Sequence, residues 1–110
     1  MVWSDPDPEV AYFDDNVRGI SYGYGDESVG KFLKDTGLEL IVRSHQVVED
    51  GYEFHFKKKV LTLFSAPNFQ NHFDNNAGIL RVDDSLTCSF QIYRPKKLTT
   101  KHKIPTYESL

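Results

Sequence analysis

An α/β fold with one helix and mostly antiparallel strands, incomplete as a domain, is what this sequence predicts. Three observations predict it. Residues 27–36 carry an apolar stripe at helical spacing, a short and almost wholly apolar run follows at 38–42, and from Tyr52 onward large apolar residues alternate with polar ones.

Taken in order, residues 1–25 read as loop, because Pro6, Pro8, Gly19, Gly23 and Gly25 punctuate them and no period persists. A helix is expected from Glu27 to Thr36: Asp26 is placed to cap it, Val29, Phe32 and Leu33 share a face, and Gly37 stops it. Leu38 to Val42, directly after a helix, reads as a parallel-type strand buried on both faces. After the turn signal Asp50-Gly51, Tyr52 to Phe56 and Val60 to Phe64 read as two strands joined by Lys57-Lys58-Lys59. Ser65 to Ala77 is a loop rich in Asn. Gly78 to Val82 and Leu86 to Tyr93 form a hairpin around Asp83-Asp84-Ser85, with Leu86, Cys88, Phe90 and Ile92 on one face of a strand expected at a sheet edge. The last four strands are expected to form one antiparallel set. Residues 96–110 read as a disordered basic tail. The long first loop has nothing to cover it and several strands keep bare edges, so the chain reads as the back end of something larger.

Composition bounds this without refining it. The 110 residues allow one modest domain, and 31 of them are Leu, Ile, Val or Phe, enough for a thin core. No run reaches the ~18 apolar residues of a membrane span, Met1 opens no signal peptide, and the lone Cys88 fits a reducing compartment. The net charge of -3 hides an acidic head, -6 over residues 1–27, and a basic end, +4 over residues 94–110. That end is too short and too poor in aromatics to argue for nucleic acid.

Several loop and strand-end residues suit chemistry. His45 follows a strand end, where ligands collect in α/β folds, but a lone imidazole equally fits a structural histidine. Arg18, before Gly19, suits bidentate anion binding or an ion pair with Asp14 or Asp15. Asp5 and Asp7 are ligands, acid-base groups or solvated carboxylates. Cys88, placed mid-strand among apolar residues, reads as packing rather than nucleophile.

The strings SDPDPEV, NVRGISYGYG, RSHQVVEDGYEF, LFSAPNF and LTCSFQI, in that order, resemble the C-terminal third of a Ser/Thr protein phosphatase. The likeness is to the phosphoprotein phosphatase superfamily, nearest the type-1 catalytic subunit, and runs from about Val2 to Pro95. It implies that residues 1–95 are the C-terminal part of a calcineurin-like metallophosphoesterase domain, a β-sandwich flanked by helices. It further implies hydrolysis of phosphoserine and phosphothreonine in proteins, with two divalent metals (manganese, or iron and zinc) activating a bridging water. By position, His45 is similar to a metal-binding histidine of the family, and Arg18 to the arginine that clamps the substrate phosphate. Trp3 and Asp5 resemble the floor of the active-site cleft, and Ser65 to Phe73 the mobile loop that overhangs it. Leu40, Phe54, Leu86, Cys88 and Phe90 match a docking pocket for Arg/Lys-Val-x-Phe motifs of regulatory subunits, in which an extended peptide adds to a strand edge.

There are departures. Phe69 stands where the family has a tyrosine, and His72 where type-1 enzymes have a glutamate. The signatures GDxHG, GDxVDRG and GNHE, which in the family carry most metal ligands and the general acid, do not occur. The chain is therefore expected to be a truncated form that holds no metal stably and is inactive alone. The alternative is a catalytically dead module that binds type-1 regulatory subunits. Phosphoprotein substrates, no membrane, and the cytoplasm or nucleus complete the expectation.

Overall fold

The computed structural model describes residues 3–95 and 106–109. They form one α-helix, one 3-10 turn at Phe69–Asn71 and nine short strands in three sheets of three. The chain divides into two units. Met1–His45 with Phe54–Thr62 makes the first, and Gln46–Glu53 with Leu63–Leu110 the second.

In the first unit, β1 (Asp5–Pro6) runs parallel to β3 (Tyr22–Tyr24), and β2 (Phe13–Asp15) pairs antiparallel with β3 on its other side. The stretch expected to be loop thus carries a small sheet, whose strands of two or three residues are too short to leave a period in the sequence. Helix α1 spans Asp26–Thr36, starting one residue earlier than expected. Asp26 is not its cap. The cap position is Gly25, extended and with no side-chain bond, and the Ala11 carbonyl accepts the first-turn amides of Glu27 (3.1 Å) and Ser28 (3.3 Å). A second chain segment therefore caps the helix. Asp26 and Glu27 in the first turn and Lys34 in the last suit the helix dipole, and Gly37 ends the helix in the left-handed region (φ 71°).

The inner face of α1 makes the core of this unit: Val29 and Leu33 pack with Val60, flanked by Tyr24, Ile41 and Phe56. β4 is Ile41–Arg43, parallel to β6 (Val60–Leu63), which lies between β4 and β5 (Tyr52–His55). The expectation of a strand buried on both faces is corrected here. β4 is an edge strand, and Leu38 and Val42 are about half exposed, at 56% and 48%. The central strand is the buried one, with Val60, Leu61 and Thr62 at 0%. The single antiparallel set of four strands is corrected as well, since β5 and β6 share a sheet with β4 and the hairpin forms its own.

In the second unit, β7 (Ala77–Val82) and β8 (Cys88–Arg94) form the expected hairpin, with Val82 opposite Cys88 and Ala77 opposite Tyr93. The Asp83 carboxylate organises the turn by accepting from the amides of Thr87 (2.8 Å) and Ser85 (3.0 Å) and from the Ser85 hydroxyl (2.8 Å). These bonds, that from Thr87 foremost, hold its carboxyl below the usual range. β8 is not a bare edge. Within the segment expected to be a disordered tail, Thr106–Ser109 forms β9 and pairs antiparallel with β8, Gln91 opposite Ser109 and Arg94 opposite Thr106. The rest of that tail lies outside the described residues. Gly51 (φ 85°) is required where it stands, because a Cβ there would fall 2.5 Å from the Gly78 nitrogen.

Candidate functional site

Four of the residues singled out from the sequence, Trp3, Asp5, Arg18 and His45, meet in the first unit. β1 places Asp5 opposite Gly23 of β3. Arg18 stands in the turn after β2, closed by a bond from the Gly19 amide to the Asn16 carbonyl (2.9 Å), where Gly19 is left-handed (φ 76°). β4 ends at Arg43, and His45 follows two residues on with a left-handed backbone (φ 80°). A non-glycine residue pays strain for that conformation, which marks the position as one the surroundings impose.

The Asp5 carboxylate is the hub. Arg18 meets it side-on, Nε donating to Oδ2 at 2.6 Å and Nη2 to Oδ1 at 2.9 Å. Arg43 Nη2 donates to Oδ1 at 2.7 Å, and Asn16 Nδ2 to Oδ2 at 2.8 Å. Asp5 is buried, at 5% exposed, and the pairs are Arg18–Asp5 and Arg43–Asp5, not the Asp14 or Asp15 pairing the sequence left open. Arg43 is fixed in turn by the Ser4 carbonyl (3.2 Å) and the Thr62 hydroxyl (3.0 Å), which also meets His55 Nε2 at 2.9 Å.

Arg18 Nη2 also donates to the His45 carbonyl at 2.5 Å, and its guanidinium stands 5.5 Å from the Trp3 ring centroid. The Trp3 and His45 rings are 4.3 Å apart. Nη1 of Arg18 has no protein partner among the described residues. Two guanidiniums, of Arg18 and Arg43, share the Asp5 carboxylate.

The electrostatics follow from this arrangement. Burial alone would push the Asp5 carboxyl up, but the bonds and charge of Arg18, with Asn16 and Arg43, outweigh it and the net direction is down. Tyr24 moves up, chiefly through burial, with the Arg43 charge opposing and the Asp5 charge adding. Asn16 and Arg43 were not singled out from the sequence. The only signal for either was its place inside the NVRG and RSHQ strings.

Among the described residues no group of three or more His, Cys, Asp or Glu side chains is placed to hold a metal ion.

The loop carrying Phe69 belongs to the second unit. Asn68, Gln70 and Asn71 have left-handed backbones, and the buried Asn75 pins the loop. Asn75 Oδ1 accepts the Phe69 amide (3.0 Å) and its Nδ2 donates to the Ala66 carbonyl (2.9 Å). The Phe69 ring meets Phe64 edge-on at 5.0 Å.

Of the expected docking residues, Leu40 and Phe54 lie in the first unit and Leu86, Cys88 and Phe90 in the second. Leu86, 79% exposed and left-handed (φ 64°), precedes β8 instead of opening it. Cys88 is the first residue of β8 and exposed, which corrects the reading of a mid-strand packing residue. Phe90 is half-buried, stacked on Tyr52 at 4.2 Å.

No family model matches the sequence. The structure is similar to that of a protein serine/threonine phosphatase from Saccharomyces cerevisiae with similarity to human phosphatase PP5. The TM-score is 0.76 at 24% identity, over 94% of this chain and 35% of that one. The likeness is one of fold: this chain matches about a third of a phosphatase chain, and its class, α/β with one helix, is that of a phosphatase-fold fragment.

Proposed function

We propose that this chain carries the phosphate-holding corner of a metal-dependent phosphatase acting on phosphoserine and phosphothreonine in proteins. The observation that carries the proposal is the side-on grip of Asp5 on Arg18. It occupies Nε and Nη2, orients the guanidinium plane, and leaves Nη1 with its two donors for a phosphoryl oxygen. Arg43 and Asn16 hold Asp5 and so act as positioning residues, and the Arg18 guanidinium suits an anion. Trp3 lies against the clamp. His45, beside it, is in this reading one ligand of the two metals, manganese or iron and zinc, that the resemblance implies. In this reading the chain is a truncated form that is inactive alone. In the same reading the chain acts on phosphoproteins, is nearest the type-1 catalytic subunit, and works in the cytoplasm or nucleus.

The lone tryptophan provides the test. Titration with phosphate or tungstate is expected to change Trp3 fluorescence saturably, and Arg18→Ala to weaken the effect at least about tenfold. A response no different from that to chloride would sink the phosphate corner. Turnover of a phosphopeptide with Mn²⁺ would overturn the claim of inactivity.

A second reading, a non-catalytic module that binds regulatory subunits with Arg/Lys-Val-x-Phe motifs, is favoured by one observation. β8 accepts a strand on the side away from β7, and the exposed Leu86 and Cys88 stand at its beginning.

A further inference from the structure

We infer that His55 is a positioning residue for the Arg18 clamp: its Nε2 takes the hydroxyl hydrogen of Thr62, which aims the Thr62 oxygen at Arg43 and so steadies the carboxylate that grips Arg18. This rests on the phosphate-holding reading above and adds a residue to it. Three neighbouring strands of one sheet supply the row. β4 ends in Arg43, which stands opposite Thr62 of the central strand β6, and β5 on the far side of β6 ends in His55. Arg43 Nη1 lies 3.0 Å and His55 Nε2 2.9 Å from the same Thr62 Oγ1.

Hydrogen counting fixes the direction of these bonds. A guanidinium can only donate, so Arg43 takes a lone pair of Thr62 Oγ1. The hydroxyl has one hydrogen of its own, and among the described residues His55 Nε2 is the acceptor within its reach. Thr62 is 0% exposed, so that hydrogen cannot turn to solvent instead. Nε2 is therefore the bare nitrogen and Nδ1 the protonated one. With the hydrogen on Nε2, Oγ1 would accept twice and its own hydrogen would be stranded. Arg43 carries the effect onward, because its Nη2 donates to the Ser4 carbonyl (3.2 Å) and to Asp5 Oδ1 (2.7 Å). Asp5 in turn accepts from Nε and Nη2 of Arg18, at 2.6 and 2.9 Å. The row runs from the end of β5 to the clamp without a gap, and hydrogen bonds in series strengthen one another. Without an acceptor at position 55 the Thr62 hydroxyl turns, one wing of Arg43 loosens, and Asp5 holds Arg18 less firmly.

The test uses the full chain at about pH 8, above the usual titration range of histidine, with tungstate as probe and Trp3 fluorescence as readout. His55→Gln keeps an acceptor at the end of a planar side chain, and His55→Phe keeps a ring without one. His55→Gln is expected to bind tungstate within about twofold of the wild type, and His55→Phe at least about fivefold more weakly, the effect of roughly one hydrogen bond. Long-range proton–nitrogen correlation spectra of the wild type, with the His55 signals identified by their absence in His55→Gln, are expected to show a protonated Nδ1 and a bare Nε2. Undiminished affinity in His55→Phe, or equal weakening in both variants, would overturn the positioning role and leave the phosphate reading standing. A hydrogen found on Nε2 would overturn it as well, whether or not His55→Phe folds. A wild-type chain with no saturable response to tungstate would overturn the phosphate reading and this role with it.

Discussion

Asp5 is the residue on which the site depends. It is almost fully buried, and its one carboxylate pairs with the guanidiniums of both Arg18 and Arg43. Removing one partner of a buried ion pair strands the other, at a cost of about 3–5 kcal/mol. Asp5→Asn keeps the shape and removes the charge, so the urea midpoint at pH 7 is expected to fall by an amount equivalent to about 3 kcal/mol or more. The pH dependence has a definite sign. The folded-state pKa of Asp5 lies below its unfolded value, so its contribution is complete above about pH 4–5 and is lost as the pH falls through the folded value. Acidification is therefore expected to destabilise the wild-type chain more than Asp5→Asn, and parallel acid-unfolding curves would contradict the role given to this carboxylate. Trp3, Asp5, Arg18 and His45 were legible because each sits in a distinctive short string. Asn16 and Arg43 were not, since their bonds to Asp5 span 11 and 38 residues and no local pattern encodes a partner so remote.

At the level of elements, legibility followed the range of the contacts. α1 was readable because its stripe is periodic, yet its cap was misread, because the acceptor for its first amides is Ala11 on another segment. The β7–β8 hairpin was readable because Asp83 closes its turn locally. β1, β2 and β3 were invisible because they are too short for alternation, and β9 because its partner is set by non-local register. The core of the first unit hangs on α1, which gives a paired test. Leu33, 9% exposed, packs on Val29 and Val60, and Leu33→Ala is expected to cost about 2–5 kcal/mol. Its neighbour Phe32 is 50% exposed on the outer face, and Phe32→Ala is expected to cost under about 1 kcal/mol. Chemical denaturation of both variants checks the pair, and a loss at Phe32 equal to that at Leu33 would mean that the helix face is wrongly assigned.

For the whole molecule, the decisive comparison is between what is buried and what is not. Among the described residues seven apolar side chains are buried and fourteen large ones are exposed. The buried ones are divided: Val29, Leu33, Val60 and Leu61 belong to the first unit, and Val48, Ala77 and Ile92 to the second. Cooperativity arises when many buried contacts are lost together, and three or four such residues per unit provide little of it. A fully cooperative domain of this length would unfold with an enthalpy of about 75 kcal/mol near 60 °C, from roughly 0.7 kcal/mol per residue. This chain is expected to melt broadly, with a van't Hoff enthalpy well below that value and a midpoint under about 45 °C, the lower end of the usual mesophilic range. Exposed aromatic and aliphatic groups such as Phe13, Val17 and Ile20 are also expected to bind a hydrophobic dye before the transition begins. Scanning calorimetry together with dye fluorescence measures both. A single sharp transition above about 60 °C with the full enthalpy would refute this account, because cores this small cannot supply it.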